Sequence, residues 1–437
     1  MSTILEDPRA QELLAQTEVE PDTVRHCMQH LTRFIQRYLP CFYREEHRQH
    51  AEVILKGKLS GLKRKTTEPV AIEGGLKRRP LQLFVGAGGW DDDAVLGELR
   101  RHVKDELADA DGVLVIDPSA FPKKGTESCG VARQWCGRLG KVDNCQAGVF
   151  LAYVAPRGKT LIDCQLYLPE DRADDRKHRA KTYVPEEIVF QEKWRIGLDM
   201  VLSTGREIPH GWVVGDDEMG RVTELRAELR LAKERYVLDV PCNTLVRDLS
   251  ERVAPTHAGG KPRVPPFEGA NQWAARQSKK RWKKIRLAGG EKGPRDVLVL
   301  QQQMQTKDAD GRVGPRERLT VIKTREKKPQ VWYTLSNAAR EVPAAAVTAA
   351  HGSRHGIEEL LEQGNQDVGM SHYEVRSWTG WHHHMTLTLL ALWFLQLERL
   401  EMGKKKSWHD GIIDCGDFQG TAASARPQCA RDSSQGE

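Results

Sequence analysis

The sequence predicts an α/β protein: a mixed sheet with flanking helices, interrupted by a β-rich insertion and preceded by a helical N-terminal domain. Three observations predict it. Through the first hundred residues apolar side chains recur at spacings of three and four, the period of an amphipathic helix. From Gly112 the pattern becomes strand, hairpin, helix, strand, helix, strand, the order of a mixed sheet. Between about residues 245 and 330 proline, glycine and cations break that order before short strand-like runs resume.

Each element has its reason. In "VRHCMQHLTRFIQRYLPCFYREEHRQHAEVILKGKLSGL" Pro40 divides two helices, because proline lacks the N–H that a helix interior uses. "GGWDDDAVLGELRRHVKDELAD" carries three acids where a helix begins, opposite its free N–H groups. Val113 to Ile116 is a short, fully apolar strand, and "QAGVFLAYVAPRGKTLIDCQLYLP" is a hairpin turning at Pro-Arg-Gly. "PEEIVFQEKWRIGLDMVLST" reads as an amphipathic helix, "HGWVVGDDEMGR" as a buried strand ending in acid, "VTELRAELRLAKE" as a helix and "RYVLDVP" as a strand. "RDVLVLQQQMQT", "RERLTVIKTR" and "QVWYTLSN" supply the strands of the insertion, after which helix returns. The expected division is 1–105 helical and DNA-binding, 106–245 the first part of the core, 246–335 the basic insertion, 336–400 the C-terminal helices of the core, and 401–437 a disordered tail.

Composition narrows the function. The chain has 437 residues, 39% hydrophobic and 29% charged, the balance of a globular protein with a sizeable core. Its best candidate for a membrane span, Met385–Leu397, falls short of the ~18 residues one needs, so a cytoplasmic protein without a membrane partner is expected. Nine cysteines contain no CxxC pair, which argues for reduced, buried thiols over a zinc site. Net charge is only +6, but cations cluster in Lys56–Arg79 and in "RQSKKRWKKIR", where seven fall in eleven residues around Trp282. Clusters of this kind suit a phosphate backbone.

Two buried strands each end in a carboxylate, Asp117 after "VLVI" and Asp216 after "GWVVG". The helix "RHGIEELLEQG" supplies Glu358, Glu359 and Glu362, with Glu358 and Glu362 on one face with Arg354. No GxxxxGK[ST] loop is present to make the acids part of a nucleotide triphosphatase. Carboxylates brought together repel, and divalent metal relieves the repulsion; oxygen-only ligands select Mg²⁺ or Mn²⁺. Two such ions would equip a phosphodiester enzyme. The run "HHH" at 382–384 is not a chelate, since successive helical residues point about 100° apart. Trp378 and Trp381 read as core, while Trp273, Trp282 and Trp332 are candidates to stack on an extruded base.

At these residues the chain resembles a family. "VIDPSAFPKKGTESCGVARQWCGRLGKVDNCQAGVFLAYV", "WVVGDDEMGR" and "HGIEELLEQGNQDVGMSHYEVRSWTGWHHHMTLTLLALWFL" resemble DDE-type transposases of bacterial insertion sequences, over about residues 110–397. The resemblance implies an RNase H-like core whose Asp117, Asp216 and Glu358 hold two Mg²⁺ (or Mn²⁺) ions, with a β-rich insertion between the second Asp and the Glu. It implies cut-and-paste DNA transposition by strand cleavage and strand transfer, and a homodimer assembled on transposon ends and target DNA. The group carries a Tyr-Arg-Glu-Lys signature around its Glu. Arg354 and Glu358 fit it; His351 stands for Tyr and Asn365 for Lys, which removes a cation. DNA contacts are expected from Arg354, His351, Asn365, Lys123 and Lys124, and from Lys279, Lys280, Arg281, Lys283 and Lys284 of the insertion. Two rivals are a transposase-derived DNA-binding protein impaired in catalysis, and a metal-dependent nuclease without strand transfer.

Overall fold

The computed structural model describes residues 21–253, 263–290, 293–308 and 310–406, so most of the tail expected to be disordered lies outside the described residues. Five helices come first: α1 (Pro21–Tyr38), α2 (Glu45–Leu59), α3 (Thr67–Glu73), α4 (Arg78–Ala87) and α5 (Asp92–Leu107). Pro40 sits in a tight turn between α1 and α2. Asp91 caps α5 by accepting from the Ala94 N–H at 3.1 Å, and Asp92 and Asp93 fill its first turn.

The sheet then begins with β1 (Val113–Pro122), β2 (Ala132–Cys136), β3 (Lys141–Ala155) and β4 (Gly158–Leu166). After the short helices α6 (Glu170–Asp174) and α7 (Arg176–Thr182) come α8 (Lys193–Leu202), β5 (Trp212–Gly215), α9 (Asp217–Gly220), α10 (Thr223–Leu231) and β6 (Tyr236–Asp239). The helix expected from Pro185 starts only at Lys193. Arg179 explains the delay: its guanidinium donates to the carbonyls of Pro185 and Ile188, both at 2.8 Å, and holds that segment as a loop.

The insertion contributes β7 (Leu245–Asp248), β8 (Glu268–Gly269), α11 (Ala270–Ala275), β9 (Lys283–Gly290), β10 (Gly293–Lys307), β11 (Val313–Thr324) and β12 (Val331–Ser336). It does not form a sheet of its own. β12 pairs antiparallel with the free edge of β6, Leu335 opposite Leu238, and one twelve-stranded sheet results, in the order β2-β3-β1-β5-β6-β12-β11-β10-β7-β8. β4 adds to β3 and β9 to β10. Only the central β1-β5-β6 pairings are parallel.

Three helices close the chain: α12 (Ala344–Gly352), α13 (His355–Gln366) and α14 (Trp378–Lys406). α8 covers one face of the central strands and α13 and α14 the other. Gly197 lets α8 lie directly on Ile116, and Gly148 lets Trp381 of α14 lie directly on β3; a Cβ at either would come within 2.6 Å and 2.8 Å of those side chains. α14 also touches α1, α2, α4 and α5, so a single apolar core runs from Leu31 to Leu397. The insertion has a smaller core of its own around fully buried Trp273.

Two sequence patterns resolve here. Within the Lys56–Arg79 cluster, Lys58 and Lys65 are buried: Lys58 donates to Thr388 Oγ1 at 2.7 Å, and Lys65 to the carbonyls of Lys58, Ser60 and Asp367. These lysines staple the N-terminal helices to the C-terminal ones instead of facing a polyanion. The three histidines are packing groups, as their spacing demands. His382 accepts from the Leu166 N–H at 3.3 Å, His383 stacks on Trp90 at 3.7 Å, and His384 meets the Met370 carbonyl at 3.0 Å.

Candidate active site

The parallel strands place the acids. Ile116 of β1 pairs with Gly215 of β5, and Gly215 with Leu238 of β6. One residue further along each chain stand Asp117, Asp216 and Asp239. Because laterally paired residues project to one side, three carboxylates form a row at the carboxyl ends of neighbouring strands. Asp117 lies opposite Phe150, whose ring faces Trp381, so the row faces the layer of α13 and α14. An apolar strand ending in acid is thus repeated three times, and the third instance, "YVLD", gains its meaning only from the register of β6 beside β5.

The break between α12 and α13 brings a second set of groups over the row. Arg354, at the break, places Nε 3.4 Å from Asp239 Oδ2 and Nη1 2.9 Å from Glu358 Oε1. His351 Nε2 stands 3.1 Å from Asp239 Oδ1, though outside the angles of a hydrogen bond. His355 Nδ1 lies 3.1 Å from Glu358 Oε2. The next residue, Glu359, pairs with Lys159 of β4 and so fixes the rotation of α13. Asp216 accepts from the N–H groups of Glu218 and Met219, at 3.0 and 3.1 Å, as the cap of α9. Asp217 turns outward to Arg221 at 2.9 Å.

Negative charge is in excess. Burial, then the charges of Asp216, Glu358 and Glu218, push the Asp117 carboxyl well above the usual range against the opposing pull of Arg354. Burial and the neighbouring Glu218 and Asp217 push Asp216 up to about 6, although its backbone hydrogen bond pulls the other way. Burial alone would raise Glu358, but His355 and Arg354 outweigh it and hold that carboxyl below the usual range. The Arg354 guanidinium is shifted upward by Asp239, Glu358, Asp117 and Asp216 together, overcoming its burial. One guanidinium therefore serves four acids. An oxygen-only donor set with more charge than its cation can balance fits a hard divalent ion. The ligand atoms of Asp117, Asp216 and Glu358 do not converge within 4.8 Å, since Glu358 is drawn to Arg354 and His355; the described trio that does converge lies elsewhere in the chain.

The remaining candidates scatter. Lys123 is half-buried with Nζ 3.4 Å above the Tyr373 ring, and burial lowers its ammonium to about 8. Lys124, Lys279, Lys280 and Lys283 are exposed. Lys284 pairs with Asp296 at 2.7 Å, and Arg281 binds Gln302 at 2.6 Å. Asn365 Nδ2 donates to the Leu361 carbonyl of its own helix at 2.7 Å, and its Oδ1 is buried without a partner. Trp273 is fully buried and has no face to offer a base, whereas Trp332 is half-buried with its ring 5.7 Å from His351.

The site is a row of buried carboxylates at the carboxyl ends of parallel strands, with an oxygen-only donor set. A family model described as DDE superfamily endonuclease matches residues 37–294, more than half the chain, and takes in Asp117 and Asp216. The chain belongs to the DDE superfamily endonucleases. Its resemblance to DDE-type transposases stands with that match, DNA is the substrate the family implies, and its nucleases generally depend on divalent metal. No curated protein matches the chain. No helix among the described residues is long and apolar enough to cross a membrane.

Proposed function

We propose that the chain is the transposase of an insertion sequence, cutting DNA at the element's ends and joining the freed ends to a target, with Asp117, Asp216 and Glu358 as the metal-holding carboxylates of an RNase H-like core. The observation that carries this reading is the register that sets Asp117 and Asp216 side by side beneath a helix bearing Arg354 and Glu358. Asp117, Asp216 and Glu358 would hold two Mg²⁺ or Mn²⁺ ions, which when bound would supply an activated water and offset the charge that develops on the leaving oxygen. The chain's own groups orient the DNA. Arg354 presents a planar fork suited to a phosphate, and Asp239 holds that fork in place. His351 stands ready to donate to the same phosphate group, and Trp332 beside it offers the ring on which an extruded base can stack.

Residues 1–105 and the basic insertion, 246–335, bind DNA beside the core formed by 106–245 and 336–400, and two protomers assemble with two ends. Cleavage of a labelled element end, with Mg²⁺ and with EDTA, tests the reading. Cuts that need metal and vanish in Asp117→Ala, Asp216→Ala and Glu358→Ala support it; cuts that survive all three overturn it. Joined products separate a transposase from a nuclease without strand transfer.

One observation favours a second reading, a DNA-binding relative impaired in catalysis. Asn365 spends its amide on its own helix and supplies no cation where the signature has Lys. That reading predicts end binding without cleavage.

A further inference from the structure

The first and last described helices, α1 and α14, meet at a cluster the transposase chemistry does not use. His26 and His30 lie one turn apart on α1, and Glu398 and Glu401 three residues apart on α14, so each pair shares a helix face. His30 Nδ1 is 2.5 Å from Glu398 Oε1, and its Nε2 is 3.2 Å from Glu401 Oε1. His26 Nε2 reaches the other oxygen of Glu401 at 3.3 Å. One nitrogen of His30 and one oxygen from each glutamate lie within 4.8 Å of one another.

The cluster is largely buried. The Glu398 side chain is only 10% exposed and that of His30 18%. Among the described residues no lysine or arginine pairs with Glu398 or Glu401; histidines are their ionic partners. Arg33 and Arg37 line the adjoining cavity of about 160 Å³, but Arg37 is committed to Glu98 at 2.6 Å and Asp105 at 2.7 Å. Cys27 adds no cation: burial and the nearby Glu398 push its thiol up to about 12. A nearly buried carboxylate needs a positive partner.

We propose that His30, Glu398 and Glu401 form a binding site for a divalent transition-metal ion of the zinc class, distinct from the carboxylate row, which clips α1 to α14. An imidazole nitrogen with two carboxylate oxygens is a zinc-type donor set, whereas the all-oxygen row suits Mg²⁺. His26 then acts from outside the ligand set, orienting Glu401 through its second oxygen, and water completes the tetrahedron. His30 and Glu398 are 368 residues apart in the chain, so the ion would join its two ends and resist their separation.

Co²⁺ added to the metal-free full-length chain gives the test, because a tetrahedral site produces an intense visible band that an octahedral, Mg²⁺-type site does not. The expected result is a band in the wild type, displaced by Zn²⁺, kept in Asp117→Asn, and lost in both His30→Gln and Glu401→Gln. Zn²⁺ should also raise the thermal midpoint of the wild type and leave that of the two variants unmoved. Glu401 is 35% exposed, so its variant keeps the fold if His30→Gln does not. No band in the wild type, or a band that survives His30→Gln and Glu401→Gln, overturns the proposal. A band lost in Asp117→Asn but kept in Glu401→Gln places the ion in the carboxylate row and overturns it as well.

Discussion

Two clusters of buried charge sit on the same sheet and are built on opposite rules. Where the insertion meets the core, Arg226 of α10 and Glu317 of β11 are 3% and 0% exposed. Arg226 Nε donates to both oxygens of Glu317, at 3.0 and 3.3 Å, and Nη1 to the Gly220 carbonyl. The hydroxyls of Tyr236 and Thr306 donate to the remaining lone pairs of Glu317 at 2.6 and 3.3 Å. One cation meets one anion and every lone pair is used. At the ends of β1, β5 and β6 one guanidinium faces four carboxylates, and Asp239 Oδ1 has no hydrogen bond. The first cluster is closed and holds the insertion on the core; the second is left open, and its missing charge is the shape of its chemistry.

The comparison breaks most visibly when one acid is removed from each cluster. Asp117→Asn should lower cleavage by on the order of 10³ or more, the scale of losing a charge-stabilising group. It should not lower metal-free stability, because it removes a repelled carboxylate; cleavage rates and melting curves on one preparation check both. Glu317→Ala does the reverse. It strands a buried guanidinium and should cost about 3–5 kcal/mol, read as a fall in the urea midpoint. Equal losses of stability in the two variants would erase the distinction.

Asp239 lies between the clusters in character. It touches no reacting group, but it holds Arg354 and faces His351. Asp239→Asn should therefore reduce cleavage by about 10- to 100-fold, as loss of an outer-shell partner does, while the Mg²⁺ concentration for half-maximal activity stays near wild type. A raised Mg²⁺ requirement would make Asp239 a ligand instead.

How much of this was legible in the sequence depended on distance along the chain. Asp117 and Asp216 announce themselves, since four apolar residues run straight into each acid. Asp239 has the same signature, "YVLDV", and its meaning emerges only once β6 is known to lie beside β5. β2 is a short edge strand with alternating exposure and little apolar signal. The joining of β12 to β6, the Arg226–Glu317 clamp and the meeting of His30 with Glu398 depend on contacts between residues from 91 to 368 positions apart, which no local periodicity encodes. Lys58 and Lys65 were misleading for the same reason: a run of cations looks solvated until the helices that cover it are in place.

The open cluster should also show in the pH dependence of stability. An acid whose folded value is raised holds its proton more tightly folded than unfolded, so its contribution is fullest at low pH and is lost as pH rises. For Asp216 the window runs from 3.8 to about 6, and Asp117 extends it upward. Melting in EDTA should thus weaken as pH climbs through this range, Mg²⁺ should restore the loss, and Asp216→Asn should flatten the curve. A flat wild-type profile in EDTA would show that the row is not charge-frustrated.

The smallest effect is expected at Asn365, two helical turns beyond Glu358 on the same face of α13. Its amide stops at the Leu361 carbonyl and leaves Oδ1 buried and unpaired. A lysine there would extend past that position and bring the cation that the open cluster faces DNA without. Asn365→Lys should tighten DNA binding severalfold and steepen the salt dependence of log K by about 0.9, one phosphate contact. Its effect on the cleavage rate at saturating DNA should be slight, because the added charge binds phosphate alike before and during the reaction. An unchanged salt slope would mean that this face of α13 does not meet the backbone, and Asn365 would cease to argue for an impaired enzyme.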